Sequence, residues 1–302
     1  MSSQALRDYV NHHLGSTTIL AALGVVVEAQ LTASPLPPAL QARIDDFVGT
    51  VGLAGLTKGI GEAELKSLLA EIRFIMLLDA KFLLDPSSCL SWAHRDTEIL
   101  QAGGEISAGF AGPLKSRIVP GLEGLAQRLD SSEGSFLDVG VGVAGLSIAM
   151  MDLWPSLRVT GIDPWLPALN LAQENVRHAG LTERIQLRPQ SVEDLSEIET
   201  FDLAWLPSAF IPPNLISVAC DKIYQALRPG GWLLFALAHS SADPVTASLV
   251  RLRTALWGGC PMAPAEVETL LSRTGLIDVR VLPSPPGAIV AIVAGRRPRA
   301  EF

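Results

Sequence analysis

The segment Phe136-Leu137-Asp138-Val139-Gly140-Val141-Gly142-Val143-Ala144-Gly145-Leu146 constrains the fold more than any other part of this chain. A short apolar run ends in an acidic residue, passes through closely spaced glycines and opens into the helical pattern Leu146 to Leu153. This reads as a strand, a tight turn and a helix start, the arrangement that brings backbone close to a nucleotide-like ligand. Glycine suits the turn because a side chain would collide with the ligand or forbid the dihedrals.

From Ser135 onward, short β-like runs alternate with helical patterns. The strands expected are Phe136–Val139, Arg158–Ile162, Ile185–Arg188, Phe201–Leu206 and Trp232–Ala238, with helices at Leu146–Leu153, Pro167–Ala179 and Leu215–Leu227. Alternation at this spacing implies a parallel sheet covered on both faces. Arg228-Pro229-Gly230-Gly231 reads as a helix stop and a turn into the fifth strand. The last two runs, Val279–Leu282 and Ala288–Ala294, are joined by Pro283-Ser284-Pro285-Pro286-Gly287, too short for a crossover helix. They therefore suggest an antiparallel hairpin closing the sheet.

The first 125 residues read as helical. Apolar residues keep helical spacing over Ala5–Leu14, Thr17–Leu31, Leu40–Val48 and Glu62–Leu84, interrupted by Pro35, Pro37 and Pro38 and by Asp85-Pro86. Further helices are expected at Asp96–Leu100 and Leu114–Leu129. The expected domains are thus 1–125, a helical lid or dimerisation region, and 126–302, the sheet domain.

Composition excludes several classes. With 48% hydrophobic and 18% charged residues, the chain can build a sizeable core. The mean hydropathy is positive, at +0.33. The longest apolar run, Ile19 to Val27, falls short of the roughly 20 residues that span a bilayer. No basic leader with a cleavage site opens the sequence, so a cytoplasmic protein without a membrane partner is expected. Residues 1–125 hold nine basic and thirteen acidic side chains, residues 126–302 fourteen and eighteen. Neither part is a basic surface, which argues against a nucleic-acid partner. Cys89, Cys220 and Cys260 are scattered and read as reduced thiols. No cluster has metal-ligand spacing, so no metal site is expected.

Gly140, Gly142 and Gly145 satisfy the dinucleotide pattern G-x-G-x-x-G, and Asp163 ends the next strand, where a carboxylate can hold ribose hydroxyls. Alone, this allows a nicotinamide cofactor. Asp138 separates the readings: a carboxylate beside a pyrophosphate would be repelled, whereas a sulfonium and an ammonium would be attracted.

With these residues in view, segment 136–238 resembles the class I S-adenosylmethionine-dependent methyltransferases. Leu137-Asp138-Val139-Gly140-Val141-Gly142 is similar to their first motif, and Gly161-Ile162-Asp163 to the acidic end of their second strand. Ser191-Val192-Glu193-Asp194-Leu195 resembles the segment flanking adenine, Phe201-Asp202-Leu203-Ala204-Trp205 the fourth strand, and Ala226-Leu227-Arg228-Pro229-Gly230-Gly231 the turn before the fifth. The resemblance implies a Rossmann-like α/β doubly wound sheet with a C-terminal antiparallel hairpin, preceded by an all-helical N-terminal domain. It also implies S-adenosyl-L-methionine as cofactor. Two positions depart from the family: Ala144 stands where a third glycine is frequent, and Ser191 where an aspartate often meets the adenine amino group.

Cofactor contacts are then expected from Asp138, Gly140, Gly142, Asp163, Pro164, Ser191, Val192 and Leu206. The stretch Leu206-Pro207-Ser208-Ala209-Phe210 follows the fourth strand, where the methyl acceptor lies in the family. It lacks the polar anchor of amino-nitrogen methylases, so the expected acceptor is small and largely apolar, methylated on oxygen, with carbon and nitrogen left open as alternatives. Trp92 and Phe210 are candidate acceptor walls. His94 and His239 are candidate bases, although methyl transfer can rest largely on positioning. The partners expected are this acceptor and a second copy held through the N-terminal helices. Two other readings stay open, an NAD-type oxidoreductase and a protein that binds S-adenosylmethionine without transferring its methyl.

Overall fold

A computed structural model describes residues 3–52, 55, 57–88, 91–239, 243–285 and 288–299. It divides into two units, 1–79 and 80–302, each described by itself.

The first unit holds helix α1 (Ser3–Thr32), α2 (Pro38–Thr50) and most of α3 (Glu62–Leu84). The two helical patterns expected over residues 5–31 are one continuous helix, because Gly15 and Ser16 cost helical propensity without breaking the backbone pattern. Val27 of α1 packs with Leu65 and Leu69 of α3, with Leu23, Leu31 and Ile60 around them. Gly24 permits the approach: a Cβ there would lie 3.4 Å from Ile72. Arg73 and Glu28 form an ion pair across the same helices. Along α1, Leu6, Tyr9, Val10, Leu14 and Leu20 are exposed. By length and composition alone, α1 is a helix that could cross a membrane. Counting only the run Ile19–Val27 hides that property.

The second unit is a seven-stranded sheet in the order β3-β2-β1-β4-β5-β7-β6. Strands β1 (Ser135–Val139), β2 (Arg158–Ile162), β3 (Ile185–Arg188), β4 (Phe201–Pro207) and β5 (Leu227–Ala238) pair in parallel. Strands β6 (Ile277–Val281) and β7 (Val290–Arg296) form the expected antiparallel hairpin, with β7 against β5. The crossover helices are α7 (Gly145–Leu153), α8 (Leu166–His178) and α9 (Ile216–Ala226). At the opposite end from the glycine turn, buried Asp202 on β4 accepts from Arg128 at 2.9 Å, Arg228 at 2.7 Å and the Ser135 amide at 3.1 Å. This fastens the start of β1 to β4 and to the entry of β5.

The observed division at 79/80 differs from the boundary expected at 125/126. Ala111, Leu114, Val119, Leu122, Leu125 and Leu129 share one buried cluster with Phe136, Met150 and Trp154, so residues 111–129 belong to the sheet domain's core. The helix expected over 114–129 is broken into α5 (Ala111–Pro113), a π turn, a 3-10 turn and α6 (Leu125–Asp130). Pro120 has no amide to donate, and Gly124 is left-handed with φ 74°. The helix expected at 96–100 extends as α4 (Thr97–Ala108). Two helices between β5 and β6 were not anticipated: α10 (Pro244–Leu256), capped by Asp243 on the Thr246 amide at 2.8 Å, and α11 (Pro264–Arg273). Of the cysteines, Cys220 and Cys260 are free, and Cys89 lies outside the described residues.

Helix α4 lies against α7 with its backbone nearly touching. A Cβ on Gly145 would sit 1.9 Å from the Gly104 carbonyl oxygen, and one on Gly104 would sit 2.1 Å from Cγ2 of Val143. The two sites differ, since one neighbour is backbone and the other the tip of a side chain. Gly145→Ala should lower stability by about 1–3 kcal/mol, the cost of forcing atoms into a filled interior, and Gly104→Ala by less. Denaturant midpoints of the two variants check the order.

Candidate cofactor and acceptor site

The parallel strands reverse direction of winding between β1 and β4, and ligands of such sheets bind beyond the carboxyl ends at that point. The turn after β1 is built for close approach. Gly140 and Gly142 have φ of 66° and 55°, a region that favours glycine, and Ala144 is left-handed at 66° as the residue before α7. The amides of Gly140 and Val141 both donate to the Ile162 carbonyl, at 2.8 and 3.1 Å, which ties the turn to the end of β2.

Asp163 closes β2 and is buried. Its Oδ2 accepts from the Gly142 amide at 2.9 Å and its Oδ1 from the Trp165 amide at 2.8 Å. Burial pushes its pKa up, against the lowering effect of these two amides. Each oxygen retains acceptor capacity for a ribose hydroxyl. Asp138, at the end of β1, is buried and accepts from the Ser147 hydroxyl of α7 at 2.6 Å. Burial raises its pKa to about 7; the Ser147 bond opposes this and the Asp163 charge reinforces it. The glycine turn is thus flanked by two desolvated carboxyls whose mutual effect is repulsive. A cationic ligand relieves that repulsion and an anionic one worsens it. The donor set therefore fits a sulfonium cofactor.

Outer contacts hold the turn in shape. Asn175 of α8 donates to the Val143 carbonyl at 3.0 Å and exchanges hydrogen bonds with Gln101 of α4. Of the other expected cofactor residues, Val192 and Leu206 are buried, Pro164 is exposed, and the Ser191 hydroxyl is taken by Glu193.

A second group of expected residues meets in an aromatic cluster. Trp92 packs edge-on against both His94, with centroids 4.9 Å apart, and Phe210, at 4.6 Å. Phe210, just past β4, stacks on Trp257 at 5.6 Å and 16°. His94 is buried, and that burial lowers its pKa; Asp96 pulls it up and Lys81 adds to the lowering. The Trp165 indole N–H donates to the His94 carbonyl at 2.7 Å, which joins this cluster to the cofactor turn through Asp163. His239 is exposed at the end of β5, its amide bonded to the Ile289 carbonyl.

Four contributors escaped the sequence reading. Ser147 gives no signal beyond its place in the first turn of α7. Asn175 and Gln101 sit among other polar residues on helix surfaces. Trp257 ends α10, a helix that the Asp243-Pro244 start signal could have revealed.

Because Asp138 carries a pKa of about 7 in the folded chain and an ordinary value near 4 when unfolded, folding takes up a proton between those limits. The resulting stability is complete below about pH 4 and is lost as pH rises through 7, a swing of about 4 kcal/mol. Asp138→Asn should flatten this dependence and leave the protein more stable than the parent at pH 8 but not at pH 4. Urea melts without cofactor across pH 4–8 read the difference.

A protein-family profile described as a methyltransferase domain matches residues 136–231. Carboxy-S-adenosyl-L-methionine synthase of Actinobacillus succinogenes is 28% identical over 146 residues, 46% of this chain and 58% of that protein. The chain spans about half the length of that curated relative. Among solved structures, an O-methyltransferase family protein from Burkholderia thailandensis has a TM-score of 0.63 at 13% identity, over 100% of both chains. Human N-acetylserotonin methyltransferase in complex with SAM has a TM-score of 0.58 at 18% identity, over 99% of this chain and 100% of that one. At these identities the structural likeness is one of fold. The family match falls on the strand, glycine turn and acidic strand end described above, and residues 136–231 carry an S-adenosylmethionine-dependent methyltransferase domain.

Proposed function

We propose that this protein transfers the methyl group of S-adenosylmethionine to an oxygen of a small, largely apolar acceptor. The observation that carries this reading is the unbroken run of contacts from the cofactor turn, through Asp163 and Trp165, to the cluster of His94, Trp92, Phe210 and Trp257. An apolar acceptor resting on those rings lies beyond the strand ends, on the same side as the cofactor turn.

Bound at the turn, S-adenosylmethionine would supply a methyl carbon activated by a sulfonium leaving group. The protein's part is to hold and to orient. Asp163 would bind the ribose, and Asp138 would lend negative potential near the cofactor's cationic groups. Trp92, Phe210 and Trp257 would fix the acceptor plane and exclude water, the kind of positioning worth roughly 7–11 kcal/mol in well-oriented systems. His94, kept neutral by its burial, is suited to take the acceptor's hydroxyl proton. His239 is solvent-exposed and makes no comparable contact among the described residues.

The exposed apolar side chains of α1 support a homodimer through the N-terminal helices, and the free thiols of Cys220 and Cys260 suit a cytoplasmic setting. A second reading draws on the name of one relative, carboxy-S-adenosyl-L-methionine synthase, whose product is a modified cofactor. Mass spectrometry of the cofactor after incubation separates it from methyl transfer.

Asp163→Ala should weaken S-adenosylmethionine binding more than tenfold by calorimetry; unchanged affinity would remove the ribose assignment. With methyl-labelled cofactor and a metabolite extract, His94→Ala should lose about a hundred- to ten-thousand-fold in turnover while keeping cofactor affinity. His239→Ala should retain turnover. Introducing Glu at Leu14 and Leu20 together should convert a dimer to a monomer in sedimentation, and a parent already monomeric would end the dimer reading.

A further inference from the structure

Trp165 does more than shape the turn after β2. Its backbone amide is held by Asp163, the same carboxylate that accepts from Gly142. Its indole N–H reaches across 71 positions of sequence to the main-chain carbonyl of His94 at 2.7 Å. The Arg95 guanidinium lies over the ring, 5.2 Å from its centroid. Trp165 and Trp92 both pack on the buried group Leu100, Val143 and Ala168, so the ring sits between the cofactor turn and the segment bearing the acceptor wall.

Residues 91–96 are neither helix nor strand, and their described backbone bonds are local: the Ala93 amide to the Ser91 carbonyl, and the Leu100 amide to the Asp96 carbonyl at the start of α4. The Lys81–Asp96 pair, at 3.6 Å and largely exposed, adds little. A half-buried indole donor aimed at a main-chain carbonyl is a stronger tether, because breaking it costs two partly desolvated polar groups their partners.

We propose that Trp165 is a positioning residue: its indole N–H clasps the His94 carbonyl and thereby holds Trp92 and His94 in place beside the cofactor turn. This rests on the acceptor-side role proposed above for that segment. The clasp makes the acceptor wall part of the same hydrogen-bonded unit as the Gly142–Asp163 contact. A cofactor that engages Asp163 then steadies residues 91–96 without touching them.

The test needs no acceptor. Trp165→Phe keeps the backbone amide, an aromatic ring and the Arg95 contact but deletes the donor. Amide hydrogen exchange of the S-adenosylhomocysteine complex should become at least tenfold faster in residues 91–96 and stay unchanged in residues 140–145. The His94 imidazole, followed by NMR titration, should move up from its lowered value toward the ordinary one as it gains water. Asp96 and Lys81 face it in parent and variant alike. Melting temperature should fall by no more than a few degrees, and S-adenosylhomocysteine affinity should stay within threefold. Unchanged exchange and unchanged His94 titration would reduce Trp165 to a packing residue. In the parent protein, the Trp165 indole proton should exchange at least a hundredfold more slowly than in free indole. Exchange at the free rate would overturn the clasp even if the variant failed to fold. Failure of the parent to bind S-adenosylhomocysteine at all would instead count against the cofactor reading, since the indole exchange and His94 titration are read on the protein alone.

Discussion

The site depends on one carboxylate shared between two loops. Asp163 accepts the Gly142 amide with one oxygen and the Trp165 amide with the other, so the turns after β1 and β2 are a single unit. Without it, the left-handed conformations at Gly140, Gly142 and Ala144 would rest chiefly on the Ile162 carbonyl and the Asn175 side chain. The bond is also costly to make, because the carboxylate is buried and its charge disfavoured there. A group held by two amides in this way is preorganised, its oxygens fixed in place by the fold.

Much of this was legible in the sequence, and for identifiable reasons. The strands β1 to β5 are apolar runs with sharp ends, and parallel strands buried on both faces must look that way. The acidic residues at the ends of β1 and β2 could be placed because strand ends fix where a side chain emerges. The hairpin at the C-terminus followed from a linker too short to contain a helix. What failed to show was tertiary in origin. Residues 111–129 carry helical spacing, yet Pro120 and Gly124 break them, and their apolar side chains are drawn into the core of the sheet. The boundary expected at residue 125 therefore cut through a core.

The aromatic cluster illustrates the same limit. Trp92, His94 and Phe210 were each nameable as candidates, but the meeting of the first two with Phe210 could not be read across more than a hundred positions of sequence. Trp257 completes the cluster from a helix whose capping signal passed unnoticed. Asp138 shows a subtler shift. Sequence suggested a carboxylate facing a cation, whereas the structure turns it inward to Ser147 and leaves its proton nearly balanced at neutral pH.

The near-contact of Gly104 and Gly145 has a consequence for how such chains can diverge. Gly145 has no room to change alone, because a methyl group there runs into the Gly104 main chain, which cannot be shrunk, whereas one at Gly104 meets only the tip of Val143. Gly145 can only be lost together with the tilt between α4 and α7. Since α7 begins at the cofactor turn, that tilt also sets where the turn points. A chain that keeps Gly145 can keep this angle; one that has lost it needs another way to aim the same loop.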